Sequence, residues 1–185
     1  MRRAAHASLR RGAQHGVAGS VTARVLLCYS HRVMLQHTAL FLHLIGFAAY
    51  AGAGFAQQRL VAMSAADGIA SPVRDAYERL AATIVTKIEL PAIFLSLFSG
   101  ILFLVYEPAY LKQAAWFHPK MTCVLLLLIL SHLEMFNARR IVRARVAGGA
   151  DADIAKRKKR HGIFGMAGGV LVVIILVLVS FVRTA

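Results

Sequence analysis

The sequence predicts an all-α protein, an integral membrane bundle of four transmembrane helices. Three observations carry that expectation. Hydrophobic residues make up 58% of the 185-residue chain and charged ones only 16%, well under the roughly 25% of a soluble domain. The mean hydropathy is +0.63. Four apolar stretches, at about 35–56, 83–106, 116–136 and 163–182, are each near the ~20 residues that cross a bilayer core.

The chain carries 22 Lys and Arg against 8 Asp and Glu, a net charge of +14. That excess suits nucleic acid in the abstract, but here the basic residues flank the apolar runs, as the positive-inside rule requires. The expected partner is therefore the lipid bilayer, not nucleic acid. The sequence displays no paired carboxylates, nucleophile motif or phosphate loop, which excludes soluble-type hydrolases and nucleotide-driven transporters. Cys28 and Cys123 form neither a CxxC pair nor a disulfide framework and read as inert thiols.

Residues 1–33 form a basic arm with Arg2, Arg3, Arg10, Arg11, Arg24 and Arg32 and no acid. It reads as a cytoplasmic arm, a targeting segment or untranslated sequence, disordered if made. Met34 stands directly before the first apolar run and is the expected start of the four-helix domain, 34–185. The first span holds His43, with His37 nearer its start. Gly46, Ala48, Ala49, Gly52 and Gly54 give it a small-residue face for close helix approach.

A polar connection is expected over about 57–79, punctuated by Asp67-Gly68 and Ser71-Pro72, with a surface helix starting near Asp75. The second span has Lys87 and Glu89 near its start. Pro91 follows, to kink the helix or mark its first turn, and Ser96 and Gly100 form a small-xxx-small pair. After a short connection, Trp116 anchors the third span at the interface, and Pro119 suits a first helical turn. This run, WFHPKMTCVLLLLILSHLEMF, spans a bilayer only with Lys120 at one edge and Glu134 at the other. A basic helical extension to about Val146, a Gly148-Gly149 stop and a solvated charge block at Lys156 to Arg160 are expected next. The aliphatic fourth span opens with Gly165-xxx-Gly169.

Counting basic residues sets the topology. Thirteen lie in the 137–162 loop and in the first connection with the start of span two. Only Lys112, Lys120 and Arg183 lie opposite, or nine residues if the arm is counted. Both termini are thus expected outside and the 137–162 loop in the cytoplasm of a multi-pass protein, with a bacterial plasma membrane the expected location.

Three groups stand out for chemistry: His43, Lys120 and His132. Intramembrane ionisable residues are functional candidates by default, and facing helices of a bundle build cofactor sites. Against that stand plain structural roles. A membrane histidine can simply hydrogen-bond a neighbouring helix, Lys120 can snorkel to headgroups, and His132 beside Ser131 and Glu134 suits an interface. On the outward-termini arrangement His43 lies about 12 Å below the outer face and His132 about 24 Å, at the α-helical rise. One flat haem reaches both only if the helices tilt or shift. His118 and His161 read as interfacial.

His43-Leu44-Ile45-Gly46, Glu78-Arg79-Leu80, Pro91-Ala92 with Gly100, and above all Trp116-Phe117-His118-Pro119-Lys120 with the leucine run and His132 resemble the HemJ-type protoporphyrinogen IX oxidases. The likeness covers about residues 37–135. It implies a haem-associated oxidoreductase acting on a porphyrinogen and passing electrons to an acceptor the sequence does not name. By resemblance, His43 and Lys120 carry the activity, and His43 and His132 bind a b-type haem, with His43 as the iron ligand. A homo-oligomer is compatible with the pattern. Phe47 to Tyr50 and His161 to Phe164 depart from the family's motifs. The helix pattern is shared with a wider superfamily that includes the copper-resistance D proteins, so a non-enzymatic, metal-related or structural bundle is the alternative expectation.

Overall fold

The computed structural model describes the backbone of residues 2–112 and 114–182 and the side chains of 30–109, 111–112 and 117–181. The interfacial role expected of Trp116, the thiol of Cys28 and the arm arginines up to Arg24 lie outside the described side chains. No strand occurs among the described residues, and four helices are long and apolar enough to cross a membrane: Ser30–Ser64, Ser71–Tyr106, Phe117–Val146 and Asp151–Phe181.

Helix α1 runs Arg2–Ser64, well beyond the expected end of the first span. Gln57, Val61 and Ser64 are all buried, and their i, i+4, i+7 spacing keeps one helix face on the bundle. The polar connection of 57–79 is thereby corrected to a turn over 65–70. Gly68 there has φ +75°, a backbone state that glycine adopts without Cβ strain.

Helix α2, Ser71–Ile84, starts with a proline in its first turn and leads without a break into α3, Leu90–Tyr106. The join is a π-helical turn, Val85–Glu89, in which the Leu90 N–H donates to the Val85 carbonyl. Pro91 explains the wider turn. Its ring lacks an N–H and crowds the carbonyl four residues back, and a π turn relieves that without breaking the helix. The expected surface helix and second span are therefore one element.

A short 3-10 segment, Pro108–Lys112, leads to α4, Ala114–Val146. Pro119 lies inside α4, in its second turn rather than its first. The helix ends where the glycine pair predicts. Gly148 has φ +69°, and the Gly149 N–H donates to the Ala144 carbonyl at 2.8 Å, capping orphaned carbonyls as an αL terminus does. Helix α5, Asp151–Val177, follows at once and closes in a π turn, Leu178–Val182. The expected extension of α4 to Val146 is present, and the rest of the 137–162 loop is corrected to a four-residue turn, 147–150, and the start of α5.

Helix α1 packs chiefly on α3 and α4 on α5, while α3 and α4 touch little. The α1–α3 crossing is close because Gly46 lies against backbone: a Cβ there would come 2.7 Å from the Ser96 nitrogen and 2.9 Å from the Ala92 oxygen. Tyr50, Val85, Leu90, Ile93, Leu127 and Ile175 belong to the core. Phe55, Phe98 and Met166 are over two-thirds exposed, as the lipid-facing side of a membrane bundle requires.

Candidate functional site

One end of the bundle is tied by charge. Glu78 of α2 accepts Lys158 of α5 at 2.6 Å and Arg145 of α4 at 3.1 Å. Arg145 also reaches Asp75 and Asp151. The Lys158 ammonium donates in addition to the Ser64 carbonyl that ends α1. Four helices thus meet on one buried carboxylate. This corrects the expectation of a wholly solvated block at Lys156 to Arg160, because Lys158 is buried. The reason is register: Ile154, Lys158 and His161 share one α5 face, and all three are buried.

Toward the opposite end, the gap between α3 and α4 leaves a cavity of about 400 Å³, within the usual range for small-molecule and cofactor sites. His43, Lys120, Tyr50 and Ser96 are its polar lining, and the rest is mostly aliphatic and aromatic, including Phe47, Leu97 and Phe117. His43 Nδ1 donates to the Ser96 carbonyl at 2.7 Å and lies 3.2 Å from the Ser96 hydroxyl. That bond fixes the tautomer, so Nε2 carries the lone pair, the arrangement typical of metal-ligating histidines. Gly100 makes room for the ring: a Cβ there would stand 3.0 Å from His43 Nδ1. Lys120 is close enough to His43 to interact with it electrostatically.

Of the three groups singled out by sequence, the fold brings His43 and Lys120 onto one cavity. His132 is not among its lining residues. It bonds the Leu128 carbonyl of its own helix at 2.8 Å and meets Phe94 edge-on at 5.9 Å. The neighbouring Ser131 hydroxyl pairs with Tyr50, seven residues below His43 on α1, or about 10 Å at the helical rise. The depth difference expected from sequence therefore persists.

The fold also assembles groups that sequence reading did not join. Glu89 and Glu134, expected near span edges, are 1% and 5% exposed and within hydrogen-bonding reach of each other. A carboxyl pair is present after all, made from two helices 45 positions apart. His161, expected at an interface, is wholly buried against Gln57, its Nε2 donating to the amide oxygen. Gln58 donates to Glu134 at 2.8 Å and lies in the groove left by Gly165. The signal available in sequence was weak: two glutamates in apolar context, each of which an interface would also explain.

Among the described residues no group of three or more His, Cys, Asp or Glu side chains is placed to hold a metal ion. No family model, no curated protein and no solved structure matches the chain.

Proposed function

We propose that the chain is a haem-associated membrane oxidoreductase whose substrate class is a porphyrinogen, as its resemblance to the HemJ-type oxidases implies. The observation that carries this reading is the convergence of His43 and Lys120, from α1 and α4, on one apolar cavity. A flat apolar ligand bearing carboxylates suits such a site. The lining supplies dispersion contact, one basic nitrogen and one ammonium for a propionate.

The residues fit a b-type haem at the level of donor chemistry. His43 Nε2 is the nitrogen that would hold the iron, since Nδ1 is committed to Ser96, and Lys120 would hold a propionate. When bound, haem supplies one-electron transfer between substrate and acceptor. The chain's own residues orient and exclude. The Ser96 carbonyl holds the imidazole in place, Gly100 leaves its ring unhindered, and Phe47, Leu97 and Phe117 wall it with apolar surface. If His43 does not meet iron, the same lone pair accepts a proton from the substrate. On the thirteen-to-three basic count, the His43 cavity opens toward the outer leaflet and the Glu78 end faces the cytoplasm.

A reduced-minus-oxidised spectrum of the purified protein tests the cofactor, with complementation of a porphyrinogen-oxidase-deficient strain beside it. The wild type should show a b-type signal and complement. His43→Ala should reach the membrane but lose the signal or the activity. Lys120→Ala should insert and fail to complement, while Lys112→Ala, in the nearby connection, should complement. A wild type without haem that also fails to complement removes the enzymatic reading and leaves His43 as a group that bonds α1 to α3.

A further inference from the structure

A second cavity, of about 460 Å³, lies nearer the charged end and takes no part in the reading above. Tyr50, Gln57, Gln58, Glu89 and Glu134 line it, against the glycine-rich first half of α5. Neither carboxyl has a lysine or arginine partner among the described residues; the cations at this end pair with Glu78, Asp75 and Asp151 instead. Glu134 receives the Gln58 amide at 2.8 Å, and Ser131, itself wholly buried, lies beside Glu89.

Three buried polar atoms here lack a hydrogen-bond partner: Gln57 Nε2, Glu89 Oε2 and His161 Nδ1. Their side chains are 0%, 1% and 0% exposed. Burying a polar atom without a partner is costly, and Gln57 and Glu89 both face the cavity.

A shared proton is what the chemistry of the carboxyl pair requires. Two ionised carboxylates cannot share an apolar site, and a hydrogen bond between carboxyl groups requires one O–H. Among the described residues no third His, Cys, Asp or Glu joins the two to make a metal site. A route exists as well. Tyr50 lines both cavities, and its hydroxyl accepts a bond from Ser131 at 3.2 Å, which in turn neighbours Glu89. The titratable groups facing the pair are Tyr50 from α1 and His161 from α5, the latter through Gln57.

We infer that Glu89 and Glu134 form an intramembrane proton-binding site that holds one exchangeable proton between them and communicates with the His43 cavity through Ser131 and Tyr50. The step is proton transfer alone, between oxygen atoms, and no electron moves. The inference does not rest on a tetrapyrrole in the first cavity, since the pair holds its proton whatever binds there.

Dicyclohexylcarbodiimide, an apolar reagent that converts a protonated carboxyl into a stable N-acylurea, tests the site in the full-length protein in lipid nanodiscs. At neutral pH, peptide mapping should find one adduct per chain, on Glu89 or Glu134, with Glu107 unlabelled. The Glu89→Gln/Glu134→Gln variant should take none. Infrared spectra of the wild type should show a protonated-carboxyl C=O band at neutral pH that the double variant lacks. In D₂O that band should shift at least tenfold more slowly in Tyr50→Phe than in the wild type. Absence of both adduct and band in the wild type overturns the site, and these two readings need no variant to fold. Suppression of labelling by sodium or potassium at fixed pH shows a cation site instead and overturns the proton assignment. Exchange in Tyr50→Phe as fast as in the wild type overturns the Tyr50 route.

Discussion

His43 owes its orientation to two residues more than fifty positions away, the Ser96 carbonyl and the bare Cα of Gly100. Gly100→Ala should therefore disturb a ring it never touches in the wild type. The new Cβ would stand 3.0 Å from Nδ1, and a ring forced off its rotamer costs of order 0.5–1.5 kcal/mol, so affinity for the proposed haem should fall by up to about tenfold. Gly54→Ala, with nothing within 4 Å, is the control, and a titration of ligand against both variants reads the difference. Equal affinities would mean that the ring's position is set elsewhere. Glu78 is the corresponding anchor at the other end. Glu78→Ala leaves the buried Lys158 ammonium without its carboxylate, and removing one partner of a buried ion pair costs about 3–5 kcal/mol. Denaturation in detergent should show a loss of that order, with a much smaller one for Asp151→Ala, whose side chain is 79% exposed.

At the scale of elements, the helices owe their contacts to small residues and to one irregular turn. Gly46→Ala would press a methyl into the backbone of α3 at 2.7 Å, where no side chain can swing aside. Overpacking of this kind costs roughly 1–3 kcal/mol, and the crossing should open, lowering the unfolding midpoint more than Gly52→Ala does. The π turn Val85–Glu89 has a consequence of its own. It inserts one extra residue into the helical repeat just where Glu89 must face the bundle. Pro91→Ala removes the reason for the wide turn. If α2 and α3 then regularise, the residues on one side rotate by about 100°, Glu89 turns from Glu134, and the single carbodiimide adduct should disappear. An adduct that survives with unchanged yield would show that packing, and not the proline, holds the turn.

The molecule as a whole is polarised. Ion pairs gather at the end built from Ser64, Glu78, Arg145 and Lys158, while the histidine–lysine cavity lies toward the other. Positive-inside placement predicts that the charged end is cytoplasmic. A cysteine at Ala150, in a background without Cys28 and Cys123, should react with a membrane-impermeant thiol reagent only after the cell is opened. Labelling from outside would invert the whole arrangement, cavity included. The N-terminal arm bears on the same question. The Arg32 guanidinium donates to the Tyr106 carbonyl at the end of α3, so the last turn before Met34 does touch the bundle. A chain starting at Met34 should still insert, because the aliphatic spans that drive insertion are intact, and membrane accumulation of the two lengths measures it.

Sequence by itself determined the fold class and the number of spans, because bilayer thickness imposes a length of apolar helix that composition reveals directly. It also determined the glycine stop after α4, since a left-handed terminus needs no neighbour to be recognised. That His43 and Lys120 stand out as candidates was legible for the same reason: an ionisable group inside an apolar run is costly wherever it ends up. What only the tertiary structure decided is which costly groups meet. Glu89 and Glu134, Gln57 and His161, Lys158 and Glu78 each looked like edge or surface residues in one dimension. The helices run past the apolar stretches, and the extra turns carry these side chains into the bundle rather than into water. Periodicity states which face of a helix a residue occupies, but which face turns inward at the helix ends depends on crossing angles and on the π turn. Those are set by contacts between residues far apart in the chain.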